Sequence, residues 1–139
     1  MLRIERRESK DVLILDVAGK VVASSGADRL RKAVEIAIAQ GRCVILCNLR
    51  RVRVMDAAGV GVLAAGYIEA KAAGGQLGLL DPSREVMILL TLCGLGDKFR
   101  VVRSEDQLAM AFTRREEAAR ELRLVARAPF EAGQRALPS

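Results

Sequence analysis

The chain has no histidine and no tryptophan, and it carries only three cysteines, three prolines and one tyrosine; aromatic residues make up 3% of its 139 positions. Without imidazole there is no histidine base or nucleophile, no Ser-His-Asp triad and no metal site that needs histidine. Catalysis by Lys, Asp or Glu is left without its commonest partner, so no catalytic residue, metal ligand or cofactor is expected. So few rings also remove the aromatic platforms on which single-stranded nucleic acid stacks. Cys43, Cys47 and Cys93 form no Cys-x-x-Cys pair. Their odd number, and an N-terminus charged from Arg3 to Glu8 rather than apolar like a secretory signal, read them as small buried hydrophobes in a reducing cytoplasm. The longest uncharged runs, Ala57 to Ile68 and Val86 to Gly96, fall short of the roughly 20 residues of a spanning helix, and no direct membrane insertion is expected.

What is present is ample aliphatic material. At 51% hydrophobic and 29% charged, the chain has the composition of one folded domain rather than of a disordered segment. The net charge is +6, and 18 of the 23 basic residues are arginine. Bases alternate with acids in Arg3 to Glu8 and in Arg114 to Glu121, the pattern of a solvated face, so no nucleic-acid partner is expected.

Leu2 to Arg7 and Asp11 to Val17, the latter ending at Ala18-Gly19, read as an antiparallel hairpin turned at Glu8 to Lys10. Ser25 is placed to cap a helix, with Asp28 in its first turn, an apolar stripe of Leu30, Ala33, Val34, Ala37 and Ile38, and Gly41 at its end. Cys43 to Cys47 fits a strand buried on both faces, and Asn48 to Arg53 reads as a polar loop. Asp56 then caps a second helix rich in small residues, stopped by Gly74-Gly75. Gln76 to Leu80 is the next strand, Ser83 to about Leu92 a third helix, Phe99 to Val102 a last strand and Ser104 to Arg115 a fourth helix. This alternation predicts an α/β fold, a mixed sheet of about five strands with four helices, whose later strands run parallel. Beyond Arg115, Ala119, Leu122 and Ala126 recur at helical spacing and Pro129 to Ser139 reads as a frayed tail. The expected organisation is therefore a domain over residues 1–115 and a helical extension with a flexible tail over 116–139. The Ala119 stripe could dock on a partner, pair two copies in a homodimer or cover its own domain.

Gly59-Val60-Gly61-Val62-Leu63-Ala64 matches a lenient dinucleotide pattern, but it falls inside the predicted helix rather than at the tight strand-to-helix turn that pattern requires, and no phosphate-loop motif occurs. Close packing of the helix is the better reason for these glycines.

The stretch Val54-Met55-Asp56-Ala57-Ala58-Gly59-Val60-Gly61-Val62-Leu63 resembles the signature of STAS domains, the anti-sigma factor antagonists, in which a strand-end loop leads through Asp-Ser-Ser-Gly-Leu-Gly into a helix. The resemblance extends over about residues 2 to 115. It implies a non-catalytic protein-binding module in a partner-switching circuit, whose partner is both serine kinase and anti-sigma factor and whose first serine after the aspartate is phosphorylated to release the complex. A phosphate there adds about −1.5 to −2 charge at a helix N-terminus, which the dipole tolerates and an incoming protein surface does not. Here the matching position is Ala57, followed by Ala58, so the usual phosphoacceptor is missing. The expected partner-binding residues are Asp56, Ala57, Ala58, Gly59 and Val60, with Ser24 and Ser25 in a loop that borders the same face and Arg53 beside it. Asp56 serves as cap or contact, Ser25 as cap or alternative phosphoacceptor, and Arg50, Arg51 and Arg53 as a solvated loop or a rim steering an acidic partner. A STAS subunit of a lipid-transport ABC assembly is the alternative, since such domains need no phosphoserine.

Overall fold

The computed structural model describes residues 2–9 and 11–107. Its first two strands, β1 (Arg3–Ser9) and β2 (Val12–Val21), pair antiparallel from Arg3 opposite Ala18 to Ser9 opposite Val12. The turn is tighter than the sequence suggested, with Asp11 in the left-handed region at φ 68°. β2 also does not end at Ala18-Gly19. It continues to Val21 across an irregularity at Gly19, whose φ of 118° is open to glycine at little cost.

Helix α1 (Ala27–Ala39) buries Ala27, Leu30, Val34 and Ala37, the core of the expected stripe. Ser25 is not its cap. The N-cap is Gly26 at φ 95°, with no side-chain cap bond, while the Ser25 backbone exchanges hydrogen bonds with Val22. A Cβ on Gly26 would stand 2.2 Å from the Lys20 carbonyl oxygen, so the chain enters α1 through a glycine because no other residue fits there. Gly41, at φ 83°, follows the C-cap Gln40.

Strand β3 runs Val44–Met55, twelve residues, and the segment Asn48 to Arg53 is strand rather than loop. Polarity was misleading here because one face of this half of the strand is solvated: Leu49 and Val52 are buried while Arg50, Arg51 and Arg53 are exposed. Pairing with the extended β2, Ala18 opposite Arg51 through Val21 opposite Met55, keeps the segment in the sheet across two register shifts that accommodate its extra residues. Val44 to Cys47 is buried throughout, as its unbroken apolarity predicts.

Helix α2 (Ala57–Ala72), strand β4 (Gln76–Leu80), helix α3 (Arg84–Leu92) and strand β5 (Arg100–Val102) complete the sheet in the order β1-β2-β3-β4-β5, parallel from β2 onward. The fold is the mixed α/β sheet expected from the element order. Ser83 caps α3 by accepting from the Val86 N–H at 3.1 Å. Residues 105–107 are helical; the remainder of the fourth predicted helix, the Ala119 stripe and the tail lie outside the described residues.

Two apolar clusters divide the sheet. Leu13, Leu15, Ile45, Cys47, Leu77 and Leu79 share the larger one with buried residues of α1, α2 and α3. Val12, Ile14, Val44, Leu46, Leu80 and Val102 form the other, on the opposite face. α2 packs on α1, β3 and β4, so its N-terminus is carried to the end of β3 beside the end of β2.

Candidate functional site around Asp56

β3 ends at Met55 and α2 begins at Ala57, leaving Asp56 between them in extended conformation. One Asp56 carboxylate oxygen accepts from the Gly59 N–H at 3.1 Å, the expected N-cap bond. The other accepts from the Ala23 N–H at 2.9 Å. The second bond had no signal in the sequence, since Ala23 lies 33 positions away; it appears only because β2 extends to Val21 and delivers the following turn to the start of α2. The Ala23 N–H, with help from Gly59 and Ala58, holds the Asp56 carboxyl below the ordinary carboxylate range, and burial only partly opposes this. Asp56 is therefore ionised at neutral pH and clasps two segments together.

This clasp brings several of the expected residues onto one surface. Ser24, Ser25 and Ala57 are exposed, Ala58 and Asp56 half-buried, and Arg53 exposed on the strand leading in. Gly59 and Val60 lie beneath that surface, Val60 only 3% exposed, so they shape the site without being able to touch a partner directly. Close packing accounts for Gly59, where a Cβ would lie 2.5 Å from the Val21 carbonyl oxygen, and for Gly66, where it would meet Leu77 and Val34. It does not account for Gly61, which has nothing within 4 Å of that position.

The described residues contain no cluster of metal-ligating side chains and no helix long and apolar enough to cross a membrane. The cysteines are free thiols, but only Cys47 is the buried hydrophobe expected, with complete burial pushing its thiol up to about 12; Cys43 is half-buried and Cys93, just past the end of α3, is exposed.

The sequence reading also missed a charged cluster on the sheet face away from the three helices. Arg7 binds Asp16 at 2.5 Å and Glu105 at 2.7 Å, Asn48 donates to Asp16 at 2.7 Å, and Arg50 and Arg103 both reach Asp81. These partners are far apart in sequence and meet only through strand register.

Residues 3–108 match the STAS domain family model, and the chain belongs to that family as an anti-sigma factor antagonist-like member. It is 28% identical over 113 residues, 81% of this chain and 93% of the relative, to the anti-sigma F factor antagonist of Paenibacillus polymyxa. The fold is similar to that of an anti-sigma factor antagonist from Mycobacterium paratuberculosis, with a TM-score of 0.72 and 19% identity over 81% of this chain and 95% of that one. It is likewise similar to the Bacillus cell fate determinant SpoIIAA in its phosphorylated form, with a TM-score of 0.61 and 24% identity over 79% of this chain and 98% of that one.

Proposed function

We propose that this chain is a non-catalytic protein-binding module that engages an anti-sigma factor of the serine-kinase type through Asp56, Ala57 and Ala58, the Ser24-Ser25 loop and Arg53, and that its binding is not switched by phosphorylation at position 57. The observation that carries the reading is the Asp56 clasp: one carboxylate ties the Ala23 turn to the first turn of α2 and leaves Ala57, Ser24 and Ser25 exposed together. A methyl group stands where the resemblance calls for a hydroxyl, so a kinase has nothing to modify there. The same reading takes residues 1–115 as the STAS domain and 116–139 as an extension, and it places the protein in the cytoplasm.

The test uses a purified anti-sigma factor kinase from the source cell. The complex is expected to form and to survive ATP, whereas Ala57→Glu, which sets a charge into the contact, weakens it tenfold or more. Ala57→Ser is expected to make the complex ATP-sensitive, with phosphate on the new serine. If Ala57→Glu binds as tightly as wild type, this surface is not the interface. Co-purification with an ATPase and a permease in place of the kinase would move the protein to the lipid-transport alternative.

A further inference from the structure

Five of the twelve arginines among the described residues are paired with a carboxylate. Arg7, Arg31, Arg42, Arg50 and Arg103 each contact at least one carboxylate. A different group is not. Arg3 on β1, Arg51 and Arg53 on β3 and Arg29 on α1 line an open trough of about 770 Å³ that no carboxylate of the described residues lines. Arg29 donates to the Leu2 carbonyl. Arg3, Arg51 and Arg53 make no close ion pair among the described residues, although the Arg51 charge acts at longer range on the Asp16 carboxyl.

The strand register explains the shape. Arg3 stands opposite Ala18 on β2, and Ala18 stands opposite Arg51 on β3, so the three form one row across the sheet. With neighbouring strands ~4.8 Å apart, the outer two backbones are about 10 Å apart. Between them lie only the Ala18 methyl and Gly19, which form the floor. β1 is the edge of the sheet, so the trough is open on that side.

Arg3 and Arg51 also border the neighbouring hollow that holds Glu5, Asp16 and Glu105, but Arg7 takes two of these carboxylates, so positive charge stays in excess along the trough and a bound anion relieves its repulsion. Arginine in particular presents a planar fork that fits a carboxylate or phosphate in bidentate fashion. Carboxylates two residues apart recur at about 7 Å on the same side of an extended chain, so one face of such a chain offers a series of them to arginines spread along the trough, where a single compact anion meets only part of the group.

We propose that this trough binds an acidic, extended segment of a partner protein, its carboxylates held by Arg3, Arg51 and Arg53 along one side of the segment. The trough adjoins the surface around Asp56, with which it shares Arg53, and its row of Arg3, Ala18 and Arg51 gives the module a second, charge-selective contact. Its test is fluorescence anisotropy on the full chain with a labelled peptide of about ten alternating glutamates and valines. Saturable binding is expected that weakens as salt is added. Arg51→Ser with Arg53→Ser lowers the affinity tenfold or more. Arg84→Ser, which removes an exposed arginine at the start of α3, leaves it unchanged, and so does Ala57→Glu, which separates this contact from the Asp56 surface. Arg51→Glu with Arg53→Glu is expected to lose the acidic peptide and bind a Lys-Val peptide instead, a gain that an unfolded variant cannot show. Equal peptide binding by wild type and the double serine variant overturns the proposal. So does binding of inorganic phosphate or ATP at these arginines with no binding of the peptide.

Discussion

Gly59 and Gly61 lie two residues apart in α2, yet replacing each with alanine is expected to move stability in opposite directions. At Gly59 the new Cβ would stand 2.5 Å from the Val21 carbonyl oxygen and 2.6 Å from the Met55 Cγ. The first of these is backbone at the end of β2, and it accepts from the Asp56 N–H, so it cannot retreat without disturbing the start of α2. Overpacking of this kind costs about 1–3 kcal/mol, and the better helix propensity of alanine returns up to about 1 kcal/mol, for a net loss of about 1–2 kcal/mol. At Gly61 there is nothing to collide with, and alanine is expected to stabilise by about 0.5–1 kcal/mol through helix propensity and a less flexible unfolded chain. The two variants should therefore differ by about 2 kcal/mol, which for a domain of this size separates their melting temperatures by roughly 6–10 °C. Thermal and urea unfolding followed by circular dichroism measures this. Equal stability of the two variants, or a Gly59→Ala protein more stable than wild type, would refute the packing argument. Gly66→Ala should fall between them, because its nearest contacts, Leu77 Cδ1 at 2.9 Å and Val34 Cγ1 at 3.1 Å, are methyl groups able to shift slightly.

Arg7 lowers the carboxyl of Glu105 chiefly through their hydrogen bond; at Asp16 burial pushes the other way, but hydrogen bonds from Arg7 and Asn48 outweigh it. Both groups thus contribute stability that is fully present above their ordinary values of 4.5 and 3.8 and is lost as pH falls through the lowered folded values. The urea midpoint should drop on acidification below about pH 4.5, and Arg7→Gln should lower it at neutral pH while flattening the acid limb. Thiol labelling of the native protein should modify the exposed Cys93 readily and Cys47 only on unfolding, since Cys47 is fully buried with its thiol raised to about 12; early modification of Cys47 by mass spectrometry would contradict its burial. Asp56→Ala should speed amide hydrogen exchange at Ala23 and Gly59, whose N–H groups it leaves unpaired, and Asp56→Asn, which keeps one acceptor oxygen, should do so less.

Much of the architecture is written locally. The unbroken apolar run Val44 to Cys47, the stripe on α1 and the cap Asp56 each depend on residues within a turn or two of one another, and all form as their patterns indicate. Where the pattern misled, a distant partner had overridden it. Asn48 to Arg53 looked like a loop because its residues are polar, but β2 pairs with it at Asn48, Arg51 and Val52 across two register shifts, and only one face needs to be apolar. Ser25 looked like a cap because hydroxyls often serve so. The turn instead needs a positive φ at Gly26, set by the closeness of the Lys20 carbonyl.

The sequence by itself determined the α/β class, the order of the elements, the aspartate that starts α2 and the absence of a hydroxyl at position 57, because periodicity, capping and residue identity are properties of neighbours along the chain. Only the tertiary structure decided that Asp56 holds the Ala23 turn, that Gly59 and Val60 lie beneath the surface, and that Arg3 and Arg51 face each other across Ala18. These depend on strand register, which is set by the packing of the whole sheet rather than by any segment of it.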